Sequence, residues 1–431
     1  MHMRDVSKYQ DHYQEHDSPD SFLKSSDIVS GLHGIKHHDD VFTDALFWNQ
    51  NSDVTVVCFN GAGAPAGGVR PGFNGTSMFN SWKNANRANF LFLHDATIYA
   101  HEILTLAWYS GSRDFDYQEQ LEPIIRKFVS INRPRHLIFF GVSGGGHAAL
   151  NFSARFPGSI AVAGNPQTNI DHYLDWAKNK YYETCWTDPN NPQAIDTSAL
   201  RHDLVQTYGA KSMNFAYCLV NIDDGHHVED HLIPLIEASH RHLNVRTLLR
   251  HWGTGHTASP PQYLLEFFDE LVHRRRSGEV FPDVKGARLL ESRSDVSAVV
   301  HSQGHPLAVP LFAGQMLTTS PLTFSLPMLV KGTLELTATV KSEQGDPAMV
   351  PVEFRTRGPR ADRYIYGLTV TKTGYSTRMP WRPGTPSKLR VYIPMDLAVD
   401  AVTFYPPASS PVTIEELHLV AHAFEDPSAK S

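Results

Sequence analysis

A doubly wound α/β domain built on a mostly parallel sheet, followed by an antiparallel β-sandwich of jelly-roll type, is the architecture this sequence predicts. Two patterns carry the prediction. Between about residues 41 and 276, short uninterrupted apolar runs alternate with helix-period stretches. Beyond about residue 285, polar and apolar residues alternate in short runs broken by turns rich in Gly, Pro, Asp and Ser. Uninterrupted apolar runs mark strands buried on both faces, and helices between them supply the covering layers. Alternating runs mark strands with one wet face.

The elements follow in order. Residues 1–40 are polar, rich in His and Asp and without periodicity, and read as a loosely packed lead-in. Six strand-like runs then occur at Val54–Phe59, Phe90–Leu93, Leu137–Phe140, Ile160–Val162, Phe215–Val220 and Arg246–Leu249. Helical spacing appears at Gln118–Val129, with Leu121, Ile124, Ile125 and Phe128 on one face, and again at His147–Phe156, Asp230–Leu243 and Pro261–Val272. These elements define a domain over 41–276. An aromatic, turn-rich stretch at about 166–210 interrupts it and reads as an insertion over the top of the sheet. A linker is expected at 276–286 and the sandwich at 286–425, with strands at Thr333–Val340, Val352–Thr356, Tyr364–Thr371, Lys388–Ile393 and Ile414–Ala421.

Composition narrows the function classes. A chain of 431 residues exceeds what one hydrophobic core serves, so two domains are expected. A net charge of -7 lacks the positive field that a nucleic-acid binder needs to displace counterions. The run His273-Arg274-Arg275-Arg276 ends a helical pattern, where cations suit the helix dipole. Cys58, Cys185 and Cys218 form no disulfide framework, and Cys58 and Cys218 lie in apolar runs as buried thiols. With neither a signal-peptide pattern nor an apolar run long enough to span a bilayer, a cytoplasmic protein is expected.

The chemistry centres on Gly141-Val142-Ser143-Gly144-Gly145, which fits G-x-S-x-G between a buried strand and a helix. That context is the nucleophile elbow of the α/β-hydrolase fold, in which a sharp turn exposes the serine hydroxyl at the sheet edge. A phosphate-binding loop of the Walker type would need a Gly-Lys-Ser/Thr ending, and no lysine follows. A serine hydroxyl becomes a nucleophile only when a histidine takes its proton and an acid holds that histidine. The chain order expected is Ser, acid, His. His256, in the Gly-rich loop after the sixth run, is the expected base, with His251 as its rival. Asp224, after the fifth run, is the expected acid, with Asp223 as the alternative. The oxyanion donors expected are the backbone N–H groups of Gly144 and of Ala62, in the loop Asn60-Gly61-Ala62-Gly63. His227 and His231 share a helical spacing that could hold zinc, but no third ligand is evident, so no metal and no cofactor are expected. The stretch His37-His38-Asp39-Asp40 reads as solvated surface.

Several segments together carry a family resemblance: Leu106-Ala107-Trp108-Tyr109-Ser110-Gly111, Gly141–Gly145, Gly164-Asn165-Pro166-Gln167-Thr168 and Asn221-Ile222-Asp223-Asp224-Gly225-His226-His227, with His231 and His256. Over roughly residues 55–270 the chain resembles bacterial α/β-hydrolase-like proteins of capsular-polysaccharide biosynthesis, of the XcbB/CpsF type. More remotely it resembles the Ser-triad acetyltransferase of the accessory Sec system. The resemblance implies a Ser143–Asp224–His256 enzyme, an esterase or O-acyltransferase, working on a carbohydrate or acylated small molecule beside glycan-synthesis partners. A serine peptidase and a non-catalytic glycan-binding scaffold are the competing readings.

Overall fold

The computed structural model describes residues 4–63, 70–82, 88–100, 104–210, 212–302, 309–312, 315–317, 321–330, 332–342, 348–357, 368–381, 386–393, 397–407 and 412–422. The chain divides into two compact units, Met1–Ser297 and Ala298–Ser431.

The first unit begins with β1 (Tyr13–His16), α1 (Pro19–Lys24), β2 (Gly31–His38), β3 (Val41–Trp48) and β4 (Val54–Phe59). Next come α2 (Thr76–Asn80), β5 (Asn89–Leu93), α3 (Tyr117–Asn132), β6 (His136–Val142), α4 (Gly144–Ala154) and β7 (Ile160–Gly164). The insertion holds α5 (Asp175–Cys185), the hairpin β8 (Thr187–Asp188) and β9 (Asn191–Ile195), and α6 (Leu204–Gly209). β10 (Phe215–Asn221), α7 (Ile233–Ser239), β11 (Val245–Arg250) and α8 (Pro261–Arg276) follow. Nine of these strands form one sheet in the order β1-β2-β3-β5-β4-β6-β7-β10-β11. β3 alone runs against its neighbours.

Burial on both sides explains the uninterrupted apolar runs. On one face Val54, Val56, Cys58, Phe90, Phe92, Ile138 and Phe140 meet Leu264, Phe267, Phe268 and Leu271 of α8. On the other, Val57, Phe59, Leu91, Leu93 and Phe139 meet the Leu121, Ile124, Ile125 and Phe128 stripe of α3 and Ala148, Ala149 and Phe152 of α4. Phe268 is fully buried, with ring centroids 5.2 Å from Phe79 and 5.3 Å from Phe140. Phe268→Ala is expected to cost about 3–5 kcal/mol in urea unfolding, through lost burial and the cavity left behind. A cost near zero would contradict this two-sided core.

Residues 4–40 are not a loose lead-in: they supply β1 and β2 to the sheet. Arg4, His33 and His37 among them are partly or wholly buried and paired, which composition does not reveal. Arg4 Nη2 donates to Asp44 at 2.7 Å, and His33 Nε2 lies 2.9 Å from the Val29 carbonyl. Of the stretch expected as solvated surface, His38, Asp39 and Asp40 are exposed, while His37 is half-buried, its ring nitrogens meeting Gln120 Oε1 at 2.6 Å and Thr43 Oγ1 at 2.7 Å. The stretch expected as a linker also belongs to the first unit, where Val284 and Ala287 join the α8 core.

Burial lowers the titration of several imidazoles in this unit, to about 4 for His33, His37 and His147 and to about 3 for His94. Unfolded histidines take a proton near pH 6.5, so below that the unfolded chain binds more protons than the folded one. Stability from these groups is complete above about pH 6.5 and falls as the pH drops toward about 4, by at most about 1.4 kcal/mol per pH unit for each imidazole. A melting temperature that declines steeply from neutral pH into this window is expected, and His147→Gln should flatten the decline.

Among the described residues, the second unit contains two antiparallel five-stranded sheets. One joins β12 (Val309–Phe312), β13 (Gln315–Leu317), β15 (Gly332–Ser342), β19 (Ser387–Ile393) and β21 (Val412–His422). The other joins β14 (Leu322–Val330), β16 (Ala348–Arg357), β17 (Thr369–Val370), β18 (Gly374–Trp381) and β20 (Ala398–Phe404). A shared core of Leu334, Leu336, Val350, Val352, Phe354, Met379, Trp381 and Phe404 makes them a sandwich. Half of the strand expected at Tyr364–Thr371 lies outside the described residues, and the other half holds β17.

Candidate active site

Ser143 sits between the end of β6 and the start of α4 with φ 57° and ψ -123°, a backbone conformation a non-glycine residue adopts only under constraint. The constraint is visible. Its N–H donates to the Gly164 carbonyl at 2.8 Å, and its carbonyl accepts from Gly146 and His147 at 2.9 and 3.1 Å. A Cβ on Gly145 would come within 2.5 Å of the Phe59 carbonyl, and one on Gly61 within 2.8 Å of the Val142 carbonyl and 3.7 Å of Ser143 Cβ. These close approaches seat α4 under β4 and bring the Gly61-Ala62-Gly63 loop beside the serine. Gly145→Ala is expected to push α4 off that loop and to destabilise the fold by about 1–3 kcal/mol in urea unfolding. An unchanged stability would show that the close approach is dispensable.

His256 follows β11 in the loop before α8, and its Nε2 lies 3.1 Å from Ser143 Oγ. Its Nδ1 lies 2.7 Å from Asp224 Oδ2, in the turn after β10. A carboxylate only accepts, so the proton of the neutral ring is on Nδ1 and Nε2 faces the serine as an acceptor. Burial works to raise the Asp224 carboxyl, but the N–H groups of His227 and His256 outweigh it and hold Asp224 well below the usual carboxylate range. Asp223, the alternative acid, is turned elsewhere and accepts from Gly255 N–H at 2.8 Å. The rival base His251 stands exposed at the end of β11.

Two asparagines position this loop. Asn221 donates to the carbonyls of Gly253 and Gly255 at 2.8 and 2.6 Å and accepts from Trp252 N–H at 3.0 Å. Asn165 donates to the Thr257 carbonyl at 2.9 Å and accepts from Asn221 N–H at 2.8 Å. Both stand where a strand ends, and in the sequence they pass for turn residues. Gln167 and His227 are further members of the site: both lie in segments that carry the family resemblance, but sequence reasoning weighed His227 only as a zinc ligand with His231 and gave Gln167 no role. Gln167 Nε2 lies 2.9 Å from Ser143 Oγ and 3.0 Å from His227 Nε2, and Gln167 Oε1 accepts from Trp108 Nε1 at 3.2 Å. His227 Nδ1 stands 2.8 Å from Asp224 Oδ2, off the ideal hydrogen-bond direction, and its ring stacks on His256 at 4.3 Å between centroids.

The insertion covers this group from above. Tyr173 packs its ring against His226, His227 and His231, and its hydroxyl faces Ser143. Burial raises the Tyr173 hydroxyl, as does the Asp224 charge. Gly144 opens α4, so its N–H is one of the four that find no partner within the helix. Ala62 is exposed in the adjoining loop, while Gly63 N–H is taken by the Thr105 carbonyl at 2.6 Å.

His227 and His231 stand on one π-helical turn, His227–Leu232, with ring centroids 5.1 Å apart. His231 does not join Asp224; its Nδ1 accepts from Thr168 N–H at 3.3 Å. Among the described residues, the grouping with metal-ligand spacing is Asp224, His227 and His256, whose donor atoms lie within 4.8 Å of one another. A divalent cation there would draw His256 away from Ser143.

The single reversed strand near one edge, the β5–β4 exchange in the sheet order and the strand–Ser143–helix turn define an α/β-hydrolase fold. No family model and no curated protein matches the chain. Solved structures that resemble it include the capsule O-acetyltransferase of Neisseria meningitidis serogroup A, 16% identical, with 58% of this chain and 98% of that one covered at a TM-score of 0.44. An esterase from Pyrococcus furiosus is 12% identical over 64% of this chain and 97% of its own, at a TM-score of 0.39. The glycosylation-associate-protein complex of Streptococcus agalactiae is 16% identical over 57% and 47%, at a TM-score of 0.38. Among the described residues, no helix is long and apolar enough to cross a membrane.

Proposed function

We propose that this chain is a serine esterase or O-acyltransferase that works through an acyl-enzyme on Ser143. The observation that carries the proposal is the continuous path from Ser143 Oγ through His256 to Asp224, at 3.1 and 2.7 Å, on a strained strand-to-helix turn. Ser143 Oγ attacks the acyl carbonyl as His256 Nε2 takes its proton, and Asp224 balances the imidazolium. The N–H groups of Gly144 and Ala62 receive the oxyanion, and the positive end of α4 favours the same charge. His256 then returns the proton to the departing group. In the second half-reaction it deprotonates water or an acceptor hydroxyl, whose oxygen attacks the acyl carbonyl; the bond to Ser143 Oγ breaks and His256 returns the proton to that oxygen.

The substrate class we propose is carbohydrate, either as the carrier of the acyl group or as its acceptor. Its supports are the segments around Trp108, Gly164–Thr168 and Asn221–His227 that resemble capsule-biosynthesis proteins, and the sandwich unit, an architecture also used to hold sugars. Short-chain aryl esters, O-acetylated sugars and peptides assayed side by side test the reading. Turnover of esters and acetylated sugars is expected. Cleavage of peptides alone would overturn it in favour of a peptidase, and inertness toward all three, with no labelling by a fluorophosphonate, would overturn it in favour of a binding protein.

A further inference from the structure

The contacts around Ser143 close on themselves. From Ser143 Oγ the path runs to His256 Nε2 at 3.1 Å, from His256 Nδ1 to Asp224 Oδ2 at 2.7 Å, and from that oxygen to His227 Nδ1 at 2.8 Å. It returns from His227 Nε2 to Gln167 Nε2 at 3.0 Å and from Gln167 to Ser143 Oγ at 2.9 Å. The protons in this ring can be assigned. An indole N–H only donates, and that of Trp108 faces Gln167 Oε1, so the two amide hydrogens of Gln167 point at Ser143 and His227. Ser143 Oγ accepts from Gln167, which directs its own proton to His256 Nε2. His227 accepts at Nε2, so the proton of its neutral ring is on Nδ1, against Asp224. One carboxylate oxygen thus faces two imidazole N–H groups, on rings stacked 4.3 Å apart and 25° from parallel.

We infer that His227 and Gln167 are positioning residues of the reaction proposed above: His227 shares the Asp224 carboxylate with His256 and so sets the pH at which His256 serves as a base, and Gln167 aims the Ser143 hydroxyl at it. The inference rests on the serine-nucleophile reading. A carboxylate oxygen that also faces a second N–H at 2.8 Å, even off the direct line, gives less of its charge to the imidazolium that forms on His256. Without His227 the whole charge falls to His256, its protonated form gains, and the free base is available only at higher pH. The titratable groups facing this pair from the surrounding elements are His226 and His231 on its own segment and Tyr173 in the insertion, while His147 on α4 and His172 in the insertion face His231 and Asp223 is turned to Gly255. All of them stay in place in the variants below. The π-helical turn that begins at His227 is what turns this ring toward Asp224, and such turns recur at functional sites.

The test is the rate of fluorophosphonate labelling of the full chain, followed across the histidine titration range in wild type, His227→Phe and His227→Asn. Phenylalanine keeps a ring against His256 and removes the N–H to Asp224. The acid limb of the labelling rate is expected to move up by about one pH unit, which is about a tenfold slower reaction below the limb. Asparagine places an amide N–H where Nδ1 stands and is expected to return the limb to the wild-type position. An unmoved limb in His227→Phe, or equal movement in both variants, overturns the role of His227. If His227→Phe does not fold, His227→Gln replaces it, since its amide lies at the Nε2 position and falls short of Asp224. Gln167→Leu is expected to leave the limb in place and slow labelling about tenfold, the scale of one lost hydrogen bond; an undiminished rate overturns the role of Gln167. A wild type that labels while the limb stays put removes this inference alone, whereas a wild type that does not label at Ser143 removes the serine reading with it.

Discussion

Ser143→Ala is expected to abolish fluorophosphonate labelling and to lower ester turnover by about 10⁴- to 10⁶-fold, the range found when a triad serine is removed and only binding and oxyanion stabilisation remain. The chain should keep its fold. Ser143 Oγ contributes contacts to His256 and Gln167, but the turn is held by backbone bonds to Gly164, Gly146 and His147 that alanine retains. The melting temperature of the variant should therefore lie within a few degrees of wild type, since one lost hydrogen bond costs about 1 kcal/mol. Residual turnover near the wild-type level would mean that another residue carries the chemistry.

Asp224→Asn is expected to lower turnover by about 10⁴-fold, the loss seen when a triad acid becomes an amide and the histidine takes the wrong tautomer. This site adds a second reason. Asp224 Oδ2 faces Nδ1 of both His256 and His227, at 2.7 and 2.8 Å. An amide that keeps its oxygen toward the two rings points its NH₂ at the His227 backbone N–H, which donates to Asp224 Oδ1 at 3.3 Å, and one turned the other way points its NH₂ at both rings. If its NH₂ faces His256, Nδ1 becomes an acceptor, Nε2 carries the proton, and Ser143 loses its base. Because the native carboxyl is held well below the usual range, Asp224 stays ionised through the whole histidine range, and the acid limb of activity belongs to the imidazole. Asp223→Asn is the matched control. Its carboxylate only accepts from Gly255 N–H, a bond that an amide oxygen can keep, so a loss below about tenfold is expected. Turnover rates of both variants, each checked for fold by circular dichroism, separate the two neighbouring acids.

The parallel sheet was readable because each central strand is apolar on both sides, so Val54–Phe59 and Phe215–Val220 stand out as unbroken runs. The edge hid itself for the opposite reason. β1 to β3 carry His33, His37, Asp44 and Tyr13, whose burial depends on partners far away in sequence, such as Gln120, Tyr99 and Arg4. In the second unit, β14, β18 and β20 mix proline, glycine and charge within short strands, and their pairing is set by cross-strand neighbours that no local pattern encodes.

The site divides along the same line. The meeting of Ser143, His256 and Asp224 was legible, because a glycine-flanked turn between strand and helix has few other uses and the order of strand ends points to the other two; their catalytic roles belong to the proposal above. Gln167 and His227 were not. Gln167 reads as one polar residue in a segment that carries the family resemblance, and His227 as half of a possible zinc pair with His231. Their meaning comes from Trp108 fixing the amide and from a π-helical turn that re-aims the ring, and both are properties of the assembled chain.

The most direct measurement is a mass-spectrometric trap of the acyl-enzyme. The full chain is mixed with p-nitrophenyl acetate, quenched in acid during turnover and digested. The account predicts a single acetyl group on the peptide that contains Ser143, absent from the Ser143→Ala variant. Steady turnover with Ser143 unmodified at every quench time, or an acetyl group at another residue on the path to product, would contradict it.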